Sequence, residues 1–578
     1  MWKHQLRSIC SNKPTEDENK NYIDGAVEIP EAPENSKCNF RQFIAFVGPG
    51  FLMSIAYLDP GNIESDLRSG SVAGFNLLWV LLLAHILGLL LQRLAARLGV
   101  VTGLHLAEVA CEYYPTAPRI LLWIMMEITI IGADMQEVIG SAIALSLLSR
   151  GYIPLWGGVI ITVIDTLTFL LLDRYGLRKL EMLFCFLITV MALTFGTEYV
   201  FTAPSQRAVA EGTFVPRCGE CSSEVLLQAV GIIGAVIMPH NLYLHSGLVK
   251  SRRVNRSLES AISKANLYFF IESAFALVVS FIINLFVVSV FAAGLHGKTN
   301  ADVHQLCSQS NHSKNDIFPN DTELASADIY SGGIFLGCKY GSIALYIWAI
   351  GILAAGQSST MAGCYAGQFV MEGFLKLGWT RWKRVLFSRS LAIVPTLFVA
   401  IFQNVERLTG MNDTLNALMM MQLPFALLPM ITFTASERVM KKFRLSVVTR
   451  AFVFGIAIAA ISINLYFLFS FIYDNAPHHW GVFVGVGLLM LAYFCFVLYL
   501  IIYCLDALGV NFLAGTRLFC CTKVFPVNES MNIDSPWMDS AEIHSNCVKR
   551  KADGDYASQD QEMYQIPHRR LYPNVPVT

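Results

Sequence analysis

The sequence predicts an all-α polytopic membrane protein. It would have about twelve transmembrane helices, an inverted 5+5 repeat with broken first and sixth helices, and two extra helices. Three observations carry this prediction. Of the 578 residues, 54% are hydrophobic and only 15% charged, whereas a soluble domain carries about 25% charge. Apolar runs of the roughly 20 residues that a bilayer core requires recur along the chain. Two of these runs are interrupted by a proline flanked by polar residues, five runs apart. Paired interruptions at corresponding positions of two halves mark a repeat with a binding site between them.

Residues 1–42, rich in Asn, Glu, Pro and Lys, have little to bury and read as a disordered cytoplasmic arm. No short basic segment with an apolar core opens the chain, so the first span is expected to act as its own insertion signal. Residues 43–506 form the membrane domain. Its spans centre near Ala56, Leu87, Ile131, Ile164, Leu187, Gly234, Val279, Ala354, Ile393, Leu423, Ala460 and Leu491, with long third and eighth runs. Residues 507–578 read as a cytoplasmic tail, and both tails are candidate docking segments for trafficking proteins. A net charge of -1 supplies no basic field for nucleic acid; the bilayer is the expected large partner.

Orientation follows from lysine and arginine in short loops. "KSRRVNR" after the sixth span, "KLGWTRWKR" after the eighth and "ERVMKKFR" after the tenth lie on one side, which is then cytoplasmic. An even number of spans places both termini there. The connection between spans seven and eight is external or luminal, and its sequons at Asn311 and Asn320 are expected to carry glycans. Asn255 and Asn528 also begin sequons but fall on the cytoplasmic side. Cys218 and Cys221, in the polar "RCGEC" of an external connection, are expected to form a disulfide.

The first interruption reads "SIAYLDPGNIESDL" and the second "GAVIMPHNLYLHSGL". Proline removes a backbone donor and glycine loosens the helix. Carbonyls freed in this way are tolerated in a membrane only where they line a polar cavity. Asp59 within a span is likewise costly unless it faces such a cavity. Asp59 offers a hard carboxylate and Asn62 a neutral oxygen. Unwound backbone near Ala56 and Ala235 offers carbonyls, and Met238 offers a thioether. Oxygens alone suit calcium, magnesium or sodium; a thioether tilts the set toward softer transition metals. In span three, Glu127, Asp134 and Glu137 are spaced to share one helical face. Three ionisable groups on one face within a membrane suggest a polar conduit, with ion pairing to neighbouring helices as the structural reading. Arg389 in span nine is a natural partner under both readings. His240 and His245 titrate near physiological pH and are candidate modulators.

"DPGN" in the first span and "MPH" in the sixth resemble the natural resistance-associated macrophage protein family. So do "GADMQEVIGSAIA" in span three, "GQSSTMAGCYAGQFVMEGFL" around spans eight and nine, and "QLPFALLP" in span ten. The resemblance covers roughly 43–505 and is closest to the animal divalent metal transporters. It implies proton-coupled symport of divalent transition metals toward the cytosol. Iron and manganese are the first cargoes, with zinc, cobalt and cadmium as further candidates. It also implies metal binding by Asp59, Asn62, Met238 and the carbonyls of Ala56 and Ala235. It assigns proton movement to the span-three network, with Asp59 receiving a proton. A span-ten contribution falls on Asn416. Animal relatives read close to "LQSLQLPF" there, whereas this chain reads "LMMMQLPF", with Met419 in place of a glutamine.

A rival reading is a sodium-coupled amino-acid symporter of the same architecture. Asp59 would repel that substrate's carboxylate, and Met238 would have little use. No ATP-binding motif is present, so a proton gradient and membrane potential are the expected energy source, with neither enzymatic activity nor a resident cofactor. An acidic outside drives uptake at the plasma membrane, apical included, or at an endosomal membrane.

Overall fold

A computed structural model describes residues 27–30, 39–172, 177–218, 222–310, 317–375, 381–402, 405–475 and 480–508. Twelve helical passes cross the domain among them. The first pass is two pieces, α1 (Pro49–Ile55) and α2 (Pro60–Ala73). The second is α3 (Leu78–Thr102), followed by the short α4 (Leu106–Tyr113). The third is α5 (Thr116–Leu148), and α6 (Leu155–Leu172) and α7 (Leu177–Thr202) are the fourth and fifth. The sixth is again two pieces, α8 (Ser223–Val236) and α9 (Pro239–Leu248). The seventh is α10 (Glu259–Gly294). Two short helices, α11 (Asn300–Gln309) and α12 (Ile329–Tyr340), precede the eighth pass, α13 (Ser342–Leu375). The last four passes are α14 (Arg381–Phe402), α15 (Val405–Ala435), α16 (Val447–Asn475) and α17 (Trp480–Leu508).

Local rules explain the punctuation. Proline opens α1, α2 and α9, where its missing N–H is an orphan in any case. Gly103 closes α3 in the left-handed conformation at φ 74°, as a C-terminal glycine can without a Cβ penalty. Among the described residues, eight helices are long and apolar enough to cross a membrane by length and composition. The third and eighth passes are long, as expected, at 33 and 34 residues. The seventh is longer still at 36 residues, well beyond the roughly 20 that a bilayer requires.

The two faces of the domain separate as the loop charges predict. On the basic side, Lys250 after the sixth pass pairs with Glu108 of α4 at 2.6 Å. Lys442 after the tenth pairs with Glu259 at the start of α10 at 3.2 Å. Arg252 is buried against Glu181 at 2.8 Å and donates to the carbonyl of Val47. Glu272 accepts from the backbone N–H groups of Gly48 and Gly50. Glu181 and Glu272 therefore anchor the start of the first pass, which is structural pairing. On the opposite side the Trp79 indole donates to the carbonyl of Arg217, and His296 meets the carbonyl of Ser71.

The ends of the chain and the connection between the seventh and eighth passes carry several outcomes. Within the expected arm of 1–42, Val27–Glu28 pairs in parallel with Arg252–Arg253, and a helix begins at Phe40; the arm is thus not structureless throughout. The last helix ends at Leu508, near the expected start of the tail, and 509–578 lie outside the described residues. Cys218 is disulfide-bonded, while Cys221 lies outside the described residues. A second disulfide, Cys307–Cys338, joins α11 to α12 and was not foreseen. Its cysteines sit 31 residues apart in unremarkable contexts, so spacing gave no signal. Asn320 is exposed in a bend of this connection, and Asn311 lies outside the described residues.

Candidate functional site

The two breaks share a register. Ala56-Tyr-Leu-Asp59-Pro60-Gly61-Asn62 aligns with Ala235-Val-Ile-Met238-Pro239-His240-Asn241. Each alanine lies four residues before a proline. In an α-helix the carbonyl of residue i is satisfied by the N–H of residue i+4, which proline lacks. The carbonyls of Ala56 and Ala235 are therefore the two whose helical partner proline removes. Asp59 and Met238 occupy the same place in their repeats, as the residues capping α2 and α9. The alanine, proline and asparagine of each break coincide, while at the capping position a carboxylate stands opposite a thioether.

Asp59, Asn62, Met238 and Asn416 are all buried. Asp59 Oδ1 accepts from the Asn62 backbone N–H at 2.6 Å and from Asn62 Nδ2 at 2.8 Å. That leaves Asn62 Oδ1 buried with no partner. A buried orphan acceptor is expensive without a ligand. The carbonyl of Ala56 accepts only a long contact from Asn241 Nδ2 at 3.4 Å, and Asn241 Oδ1 is itself without a partner. The neighbouring carbonyl of Tyr57 is taken by Asn284 Nδ2 at 2.9 Å. The unwound turn thus presents one weakly engaged carbonyl beside a carboxylate and an orphan amide oxygen.

Span three ties the pieces together. Gln136 of α5 donates to Asn416 Oδ1 at 2.8 Å and to the carbonyl of Asn412 at 3.2 Å, both in α15. Its own Oε1 has no partner and lies 2.5 Å from where a Cβ on Gly61 would stand. Gly61 must therefore be glycine for Gln136 to reach the break. Pro60 packs on Gly140 in the same way. Met238 packs with Ala133 of α5 and Met419 of α15 in a small apolar group detached from the main core. Asn416, placed by resemblance alone, is thereby joined to the break through Gln136.

Of the expected proton-pathway residues, Glu127, Asp134 and Glu137 are all buried in α5. Glu127 accepts from the Trp123 indole at 3.0 Å. His240 is buried beside Met238, with Nδ1 unpartnered. His245 is turned away into a chain with Gln92 at 2.6 Å and, through it, the Tyr57 hydroxyl at 3.1 Å. Arg389 lies in α14, which packs on α5; its side chain is outside the described residues.

Three polar residues at the breaks escaped sequence reasoning. Gln136 is a lone amide in an apolar span. Asn241 is legible only once the two breaks are aligned. Asp66 lies on the same face of α2 as Asp59 and Asn62, buried with Oδ2 unpartnered; its seven-residue spacing from Asp59 was the available signal.

Among the described residues, no three His, Cys, Asp or Glu side chains converge as a metal cluster. The break instead combines one carboxylate, an amide oxygen, freed carbonyls and a thioether. Such a mixed set with a single charge suits an ion that must bind and then leave.

Comparison with known proteins agrees with this geometry. Residues 50–470 match the family model "Natural resistance-associated macrophage protein-like". Natural resistance-associated macrophage protein 2 of Mus musculus is 59% identical over 498 residues, covering 86% of this chain and 87% of the relative. The NRAMP-like transporter smf-1 of Caenorhabditis elegans is 53% identical over 524 residues, covering 90% and 92%. Among solved structures, a mutant manganese transporter of Eremococcus coleocola superposes with a TM-score of 0.71 at 27% identity, covering 84% of this chain and 99% of that one.

Proposed function

The chain belongs to the natural resistance-associated macrophage protein family. From that premise we propose that it is a transporter, not an enzyme, carrying divalent transition-metal ions such as iron and manganese toward the cytosol in symport with protons. The observation that carries the reading is the aligned pair of breaks. They bring the Asp59 carboxylate, the orphan Asn62 Oδ1, the loosely held Ala56 carbonyl and the Met238 thioether to the ends of α1, α2, α8 and α9.

The geometry supplies a mechanism. The C-terminal ends of α1 and α8 point partial negative charge at the break, favouring a cation there. Asp59 provides the one full negative charge among the proposed ligands. Releasing Asn62 Nδ2 loosens the hold on Asp59 Oδ1, which the Asn62 backbone N–H still engages. Asn416 and Gln136 hold α15 and α5 against the break, so movement of either helix is coupled to the site. Glu127, Asp134 and Glu137 offer a proton route along α5, with Asp59 as the receiving carboxylate and His240 at its edge. A sodium-coupled amino-acid symporter would place a substrate carboxylate against Asp59, which would repel it.

Topology supports inward transport from an external or luminal space that is acidic, at the plasma membrane or in endosomes, with both termini cytosolic. The test is uptake of radiolabelled manganese into cells at two external pH values. Wild type is expected to show uptake that rises with external acidity. Asp59→Ala is expected to show none while reaching the membrane in normal amount. Substantial acid-driven uptake by a correctly inserted Asp59→Ala protein would overturn the assignment.

A further inference from the structure

Span ten contains three consecutive methionines, Met419, Met420 and Met421, and the fold brings two of them to the second break. Met419 is fully buried and packs with Met238 and Ala133 alone, apart from the continuous core. Its Cγ lies 3.6 Å from where a Cβ on Gly132 would stand, so the side chain runs along α5 toward α9. Met420 lies against Gly234, the residue before Ala235. A Cβ there would meet the Met420 Cγ at 2.1 Å and its Sδ at 2.5 Å. Met420 sits with Val230 and Ile463, whereas polar side chains stand a turn from Met419. Asn416 lies one turn earlier in α15, and Gln136, one turn along α5 from Ala133, meets it. Met238 and Met419 thus place two thioethers together in a small group apart from the main core.

On the reading that the break is the metal site, we propose that Met419 is a specificity-determining residue. It supplies a second thioether beside Met238, so that the site takes thiophilic cations, cadmium among divalent ions, in preference to hard ones. Thioether sulfur binds soft ions usefully and adds little for manganese, calcium or magnesium. A second sulfur therefore widens the gap between soft and hard cargo without adding charge. Methionine also adapts its three torsions to an ion's position, which lets Met419 approach while remaining on α15.

The experiment uses the full chain in cells. Manganese uptake is measured with cadmium as competitor in wild type, Met419→Leu and Met419→Gln. Leucine keeps the volume and removes the sulfur; glutamine keeps the length and replaces sulfur with an amide. Surface abundance is measured for each. The cadmium concentration that halves manganese uptake is expected to rise about ten- to hundredfold in both variants, the range for losing a group that tunes a metal site. The manganese KM should change much less. An unchanged cadmium-to-manganese ratio in Met419→Leu, with normal surface abundance, overturns the proposal. If one variant fails to reach the surface, the other decides by the same ratio. Met238→Leu separates the two readings. If it weakens cadmium while Met419→Leu does not, the site stands and only the Met419 inference fails. If neither it nor Asp59→Ala alters uptake of either ion, the location of the site itself is wrong.

Discussion

Replacing Gly140 with alanine tests whether the packing of the third pass against the first break sets the metal geometry. The added methyl would lie 2.3 Å from Pro60 Cβ and 2.6 Å from its Cγ. Carbon atoms in contact sit about 3.5–4.0 Å apart, so α5 and the start of α2 must separate by roughly 1.2 Å or more. The prolyl ring cannot swing aside, because its φ is locked. Overpacking of this kind costs about 1–3 kcal/mol of stability, which a large helical domain survives. Asp59 immediately precedes Pro60 and moves with it. A metal–ligand distance tolerates only about 0.2 Å, so the ligand set is pulled apart. Manganese uptake by Gly140→Ala is expected to fall at least about tenfold, a barrier change of only ~1.4 kcal/mol, while surface abundance changes little. Gly455→Ala in α16 is the matched control, since nothing lies within 4 Å of its added methyl; it should transport like wild type. Wild-type uptake by Gly140→Ala would show that the break does not depend on this contact and would refute the reasoning.

Three further outcomes are expected. Neutralising Asp134 as Asn should shift or flatten the pH dependence of uptake while leaving competition between metals unchanged. A loss confined to folded yield would instead make span three a structural ion-pair helix. Asn320 and Asn311 should carry glycans in animal cells and Asn528 none, read from gel mobility of Asn→Gln variants after glycosidase; a glycan on the tail would invert the topology. Glu108, on the connection between the second and third passes, is largely buried, which raises its carboxyl, but His105 and Lys250 outweigh this and hold it below the usual carboxylate range. A depressed native value means that this contribution is present above the unfolded carboxylate value, near about 4.3, and is lost as pH falls through the native one. Lys250→Met should therefore lower thermal stability by about 1.5–3 kcal/mol at neutral pH, and the difference from wild type should close under strong acid. A difference that persists there would assign the effect to packing.

Much of the architecture could be read from residue order because the bilayer imposes it. Apolar runs long enough to span, loop lysines and arginines on one side, and prolines within two spans each answer to a solvent constraint that acts on a short segment by itself. Asp59, Asn62 and Met238 stand out as candidates for the same reason: polar or sulfur-bearing residues beside a helix break inside hydrocarbon require a compensating role. Other features were settled only by tertiary contact. Gln136 became part of the site because Gly61 leaves room for its amide, and Asn241 because it meets the Ala56 carbonyl across the two repeats. Cys307 and Cys338 were brought together by a fold of the connection between the seventh and eighth passes that spacing does not encode. Met419, read along the chain as a departure from a glutamine, became a neighbour of Met238 only when α15 was laid against α5 and α9. Secondary structure and topology follow from local hydration costs, which each segment carries with it. The identity of the atoms that meet at a break depends on which helices pack together, and that is a property of the whole chain.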